Sequence, residues 1–297
     1  MIRKILLVIV VLLLVSEIVM RFMGMGNPVL YMGDRDFEYI LVPNQKVKRF
    51  GNLIETNSLS QRNPEPVKGK ITVLKIGDSI INGGDHLSNN ELSSNLLKDS
   101  LNLAIDTPIQ VLNISAGSWG PENGAAYLKR YGTFDAKVMI LVYSSHDRKD
   151  FIGEYSPIEV NINYPIESYS LAWVELIRKK LVMHRWDAAP YPNAPRDPSF
   201  GTENQGFRQL KEMADRDGIQ VLGYLHPTRE EVAQQQYEQD GLEILEIWKQ
   251  QGVPTIQGMN YMTDECYRDF IHLNALGNQK VASAILPKAQ EMVQNSL

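Results

Sequence analysis

Residues Ile71-Thr72-Val73-Leu74-Lys75-Ile76-Gly77-Asp78-Ser79 carry an apolar run directly into a glycine and two polar residues. A run of this kind suits a strand buried on both faces, as at the centre of a parallel sheet. Downstream, leucines at 92, 96, 97, 101 and 103 form a helical stripe, and 109–114 reads as a second strand. A helix over 121–131 starts with Pro121 in its first turn, where proline is tolerated. Strands follow at 138–143, 219–225 and 253–256, and helices at 169–183, 229–250 and 275–293, the last with a bend at Pro287. Strands separated by helix-length segments imply crossover connections and a parallel sheet covered by helices on both faces. The expected fold is therefore a three-layer α/β/α domain with a flavodoxin-like parallel sheet, over residues 70–297. In such sheets functional loops gather at the carboxyl ends of the strands.

Upstream of this domain, residues 26–69 read as an extended, loop-rich lead-in, with a hairpin at 47–57 around Gly51-Asn52. Residues 1–25 are different. A short basic start, Arg3-Lys4, precedes an apolar run from Ile5 to Val15, interrupted at Ser16-Glu17 and resumed through Met23. A helix over 5–23 would reach roughly 28 Å, about the hydrocarbon thickness of a bilayer. A cleaved signal peptide and a buried core helix compete with an uncleaved signal-anchor. The missing Ala-x-Ala site and the all-round apolar character favour the signal-anchor. The basic start favours an inside N-terminus, hence a single-pass membrane protein with its globular domain outside the cytoplasm.

The whole chain has 297 residues and a net charge of −5, so it lacks the basic footprint of a nucleic-acid binder. Its single cysteine, Cys266, excludes an intrachain disulfide and a cysteine-based zinc site.

Reactive residues fall where the sheet rule puts them. Gly77-Asp78-Ser79 follows the first strand, Asn113 to Gly120 the second and Ser144-Ser145-His146-Asp147 the third. Asp269-Phe270-Ile271-His272 precedes the last helix. Four blocks in this order resemble the SGNH (GDSL) hydrolase family, over about residues 70 to 290. A serine hydroxyl is a poor nucleophile until a neighbouring base takes its proton. A histidine three residues after an aspartate can share one turn with it, so the carboxylate orients the imidazole. The expected triad is Ser79 as nucleophile, His272 as general base and acid, and Asp269 as its orienting carboxylate.

The resemblance also implies an oxyanion hole built from the Ser79 amide, an amide in the second block and a side chain in the third. Here Ser118 takes the place of the family's glycine, with Gly117 one residue earlier, and His146 takes the place of its asparagine. A neutral imidazole has one N–H to offer, so His146 is the expected third donor. No metal or organic cofactor is implied. The expected activity is that of a serine esterase on acyl esters, O-acetyl above all, with cell-envelope or exported polysaccharide as the substrate. An O-acyltransferase to a glycan hydroxyl and an inactive glycan-binding or scaffold member of the fold are the rivals; the histidine at 146 supports the latter.

Other features have plainer readings. Asp78 and Asp147 read as acceptors that organise loops, and Trp119 has the placement to stack on a sugar. Asp85 and His86 lie in a glycine-rich loop near the nucleophile; His226 ends a strand at the functional edge and neighbours the site or is simply solvated. Residues 185–201, with four prolines, read as a lid, a partner surface or a disordered stretch.

Overall fold

The computed structural model describes residues 1–152, 157–159, 161–186 and 204–297. The expected lid at 185–201 lies outside the described residues beyond Trp186. Five strands form the main sheet: β5 (Ile71–Gly77), β6 (Ile109–Ser115), β7 (Val138–Ser144), β8 (Gln220–His226) and β9 (Thr255–Gln257). They are all parallel, in the order β6-β5-β7-β8-β9. The strand expected at 253–256 is thus displaced toward 257. This is the doubly wound arrangement, and its topological switch point lies between β5 and β7.

The sheet divides two hydrophobic cores. On one face Leu97 and Leu101 of α3 (Ser93–Ala104) pack with Val281 and Ile285 of α9 (Ala275–Gln294), which continues through Pro287. On the other lie α4 (Pro121–Tyr131), α6 (Gly206–Arg216) and α8 (Gln239–Gln250), contributing Leu128, Leu210 and Trp248. Lys75 of β5 puts a cation inside the sheet; its fully enclosed ammonium donates to Ser93 Oγ at 2.5 Å, and burial pushes it down to about 7.

Two elements depart from the sequence reading. Helix α6 was not expected, although Phe207, Leu210 and Ala214 supply a buried stripe at helical spacing. The single helix expected over 229–250 is two, α7 (Arg229–Gln234) and α8. Gln235 turns left-handed at φ 53°, and the buried Glu231 carboxylate receives the Glu238 amide at 2.8 Å. That bond stabilises the break, because it satisfies a backbone donor that a continuous helix would bond internally.

The lead-in folds into two antiparallel hairpins, β1 (Tyr31–Asp34) with β2 (Glu38–Leu41), and β3 (Lys46–Arg49) with β4 (Asn52–Glu55). The second is the expected one. Phe37, Tyr39, Leu41, Val47 and Ile54 join the core on the α4 side. Ahead of them, α1 (Ile2–Phe22) is long and apolar enough to cross a membrane, and none of its residues is buried. A signal sequence would share that length and composition.

Gly223, in the middle of β8, faces the ring of the fully buried Trp248; a Cβ there would lie 2.8 Å from the indole. Gly223→Ala should therefore lower stability by about 1–3 kcal/mol through overpacking. Urea unfolding followed by tryptophan fluorescence measures it, and an unchanged midpoint would mean that the indole can retreat.

Candidate active site

Strand β5 ends at Gly77, where a Cβ would collide with the Val142 carbonyl of β7. The chain can therefore leave the sheet closely beside its neighbour. Asp78 then caps the short helix α2 (Ser79–Asn82), its Oδ1 accepting from the Ile80 amide at 2.8 Å. This puts Ser79 at the carboxyl edge of the sheet.

Across the edge, the loop before α9 brings Asp269 and His272 to the same place. Ser79 Oγ lies 3.0 Å from His272 Nε2, and His272 Nδ1 lies 2.9 Å from Asp269 Oδ2. Burial would raise the Asp269 carboxyl. The backbone N–H groups of His272 and Ile271, with the imidazole itself, outweigh that effect and hold it down to about 2. Asp269 is thus an ionised acceptor, which fixes the Nδ1–H tautomer and leaves Nε2 free to accept from the serine. The three residues named from sequence converge, although 193 positions separate Ser79 from His272.

The loop holding Asp269 and His272 is fastened to the end of β8. His226, fully buried, faces the Ile271 carbonyl through Nε2 at 3.1 Å, the Phe270 carbonyl receives the Arg229 amide, and Tyr267 Oη donates to the Pro227 carbonyl. Burial pushes His226 down to about 3, so it is a neutral donor. His226 is therefore a neighbour of the site and not a solvated histidine.

The second block is placed by side chains that sequence reading passed over. Asn113 Nδ2 donates to the Ile81 carbonyl, and Asn82 Nδ2 to the Ser115 carbonyl, which ties the two loops together. Gly117 and Ser118 line the same cleft as Ser79 and His272. Ser118 adopts φ 53°, the left-handed region that favours glycine. Tyr39 Oη donates to the Gly117 carbonyl at 2.6 Å. Because a trans peptide sets N–H opposite C=O, the Ser118 N–H points away from Tyr39. Tyr164 Oη donates to Ser118 Oγ at 2.9 Å and closes that side of the cleft.

His146 is placed differently from the sequence expectation. Its Nδ1 lies 2.6 Å from Ser144 Oγ, and its Nε2 faces Asp147 Oδ1 at 3.4 Å and Asp78 Oδ2 at 3.6 Å. It does not line the cleft that holds Ser79. Trp119 also departs from expectation: it is fully buried, donates through Nε1 to the Tyr39 carbonyl, and offers no platform for a sugar. Asp78 and Asp147 do serve as loop acceptors, Asp147 Oδ2 receiving the Ser144 amide at 2.6 Å.

The remaining oxygens of that pair, Asp78 Oδ2 and Asp147 Oδ1, are buried without a hydrogen-bond partner. Burial, then the neighbouring Asp147, pushes Asp78 up to about 8, and burial raises Asp147 to about 7. Two adjacent buried carboxyls at the switch point thus hold protons that they would release in the unfolded chain. The folded state binds more protons than the unfolded one, so the stability these groups contribute is present at low pH and lost as pH rises toward about 8. Asp147→Asn should flatten that loss, giving a melting temperature that falls less between pH 5 and 8 than in wild type. Parallel melting curves in matched ionic strength would test it; an identical slope would show that the pair does not titrate there.

No protein-family model matches the sequence, and no curated protein matches it. Among solved structures, the chain is similar to a lipase/acylhydrolase from Enterococcus faecalis, at 12% identity and a TM-score of 0.44 over 74% of this chain and 96% of that one. It is similar to Est24, a carbohydrate acetylesterase from Sinorhizobium meliloti, at 16% identity and a TM-score of 0.42 over 75% and 100%. A third is the native M. smegmatis aryl esterase, at 14% identity and a TM-score of 0.41 over 75% and 99%. Likeness at these identities concerns the path of the chain and says nothing of its chemistry.

Proposed function

We propose that the chain is a serine esterase of the SGNH type, acting on acyl esters through Ser79, His272 and Asp269. The observation that carries this reading is the unbroken line Ser79 Oγ–His272 Nε2, His272 Nδ1–Asp269 at 3.0 and 2.9 Å, opening on a cleft of 580 Å³. A cleft of that size suits a small-molecule ester. Ser79 Oγ attacks the carbonyl carbon while His272 takes its proton. The oxyanion that forms accepts from the backbone N–H of Ser79 and from an amide of the Gly117-Ser118 segment, which lines the same cleft. His272 then protonates the leaving alcohol, and a water activated by the same imidazole releases the acid. The acceptor decides between hydrolysis and transfer, so an O-acyltransferase would use the same residues. The catalytic domain acts outside the cytoplasm, on esters of the cell envelope. Polysaccharide is the less favoured carrier, since the one aromatic expected to stack on a sugar is buried.

Ser79→Ala should abolish turnover of 4-nitrophenyl acetate while leaving the melting temperature unchanged, and should abolish labelling by a serine-directed phosphonate. Wild-type turnover in that variant would remove Ser79 as nucleophile. Asp269→Asn should cost up to about 10⁴ in rate, since a carboxamide can hold the wrong imidazole tautomer. His146→Ala should stay within about tenfold of wild type, whereas loss of an oxyanion donor typically costs about 10²–10³. A loss of that larger size would return His146 to the oxyanion hole.

A further inference from the structure

Helix α1 carries three polar side chains in its second half, and each is engaged by the globular domain. Glu17 accepts from the first amides of α5 (Ala172–Trp186), Ala172 N at 2.8 Å and Trp173 N at 3.2 Å. Trp173 Nε1 donates to Ser16 Oγ at 3.0 Å, and Arg21 donates to the carbonyls of Tyr169 and Ser170 and to Glu17. Residues from the far half of the chain thus satisfy polar groups that hydrocarbon would leave costly. A leader destined for removal gains nothing from such partners.

The end of the helix is also the beginning of the cleft wall. The Met23 carbonyl accepts from Phe50 N, the Gly26 carbonyl from Tyr169 N, and the Gly24 carbonyl from the buried Arg49. Phe50 and Tyr169 line the cleft together with Pro28 and Val29, which follow directly in sequence. Phe22, Phe50, Leu171 and Ile177, on or next to these docked segments, expose their side chains.

Length decides what this face meets. Below Ser16, residues 2–15 give about 21 Å of helix, against about 30 Å of hydrocarbon. A helix docked at Ser16 and Glu17 can span only if the domain face around it is drawn into the membrane interface. We infer that this face, Leu171 with Phe22 and Phe50, is a bilayer-docking surface, and that the ester offered to Ser79 is carried by an amphiphile resident in that bilayer. The second clause rests on the esterase reading; the first does not.

Full-length protein in vesicles of phosphatidylethanolamine and phosphatidylglycerol tests both. Leu171→Cys and, as a control, Leu103→Cys are labelled with bimane; the native Cys266 is buried. Leu103 is fully exposed and belongs to α3, beside the opposite edge of the sheet. Brominated lipid should quench the label at 171 strongly and that at 103 weakly; equal quenching overturns the docking surface. Turnover is then compared on soluble 4-nitrophenyl acetate and on a dialkylglycerol acetate held in the vesicle, whose acetyl group is its only ester. The paired change Glu17→Ala and Arg21→Ala should cut the vesicle reaction by about tenfold through lost positioning. It should leave the soluble one within about twofold, because neither side chain lines the cleft or bonds a triad residue. Glu17→Gln, checked by melting, repeats the test with less disturbance. An equal loss on both esters, or none on either, overturns the amphiphile. Quenching at 171 with no turnover of either ester upholds the surface and overturns the esterase reading along with the substrate.

Discussion

The guanidinium of Arg62 is fully enclosed, and its donors go to the carbonyls of Asn82, Gly84 and Leu87 and to Asn89 Oδ1. A buried cation without a carboxylate beside it is tolerated only when every donor finds an acceptor. Burial holds Arg62 down to about 10, so it remains charged. The loop carbonyls must therefore converge on it, and the loop they belong to is the one that carries Ser79 away from the sheet. Gly83 and Gly84 permit the convergence, with φ of 75° and 56°. A second enclosed arginine, Arg49, holds the same loop through a carboxylate instead of carbonyls. It pairs with Asp85 of the same loop at 2.7 Å and with the buried Glu175, and donates to the Gly24 carbonyl at the end of α1.

Both arginines lie in the lead-in. The segment between α1 and the sheet therefore does more than connect: it clamps the nucleophile loop from outside and α1 from the other side. Asn63 extends the clamp, its Oδ1 receiving the Asn113 amide at 2.7 Å and so holding the second block. Tyr39 does the same for Gly117 and Ser118. The sheet brings the loops to one edge, and the lead-in sets the distances between them.

The same division explains why the two carboxyls Asp78 and Asp147 can sit side by side. Each spends one oxygen on a backbone amide that its own loop leaves unpaired. The remaining oxygens then share a dry position between the ends of β5 and β7. Burial raises the proton affinity of both, Asp147 raises that of Asp78 further, and the exposed ring of His146 is the neighbour on their open side.

The main strands were legible in the sequence because a strand buried on both faces needs a short apolar run, and these are bounded by turn residues and far shorter than the run that forms α1. The meeting of Ser79 with Asp269 and His272 was legible in part for a related reason: a polar residue at the end of such a run is brought to the sheet's carboxyl edge, and an aspartate three residues before a histidine can share its turn. Helix α6 carried a stripe of Phe207, Leu210 and Ala214 that could have been read, whereas the break at Gln235 depends on Glu231 reaching the Glu238 amide. The direction of the His146 ring, the burial of Trp119 and the roles of Arg49, Arg62 and Glu17 were decided by tertiary structure alone. Each depends on where a polar group finds its partner once water is excluded, and those partners lie on segments that only the folded chain brings together.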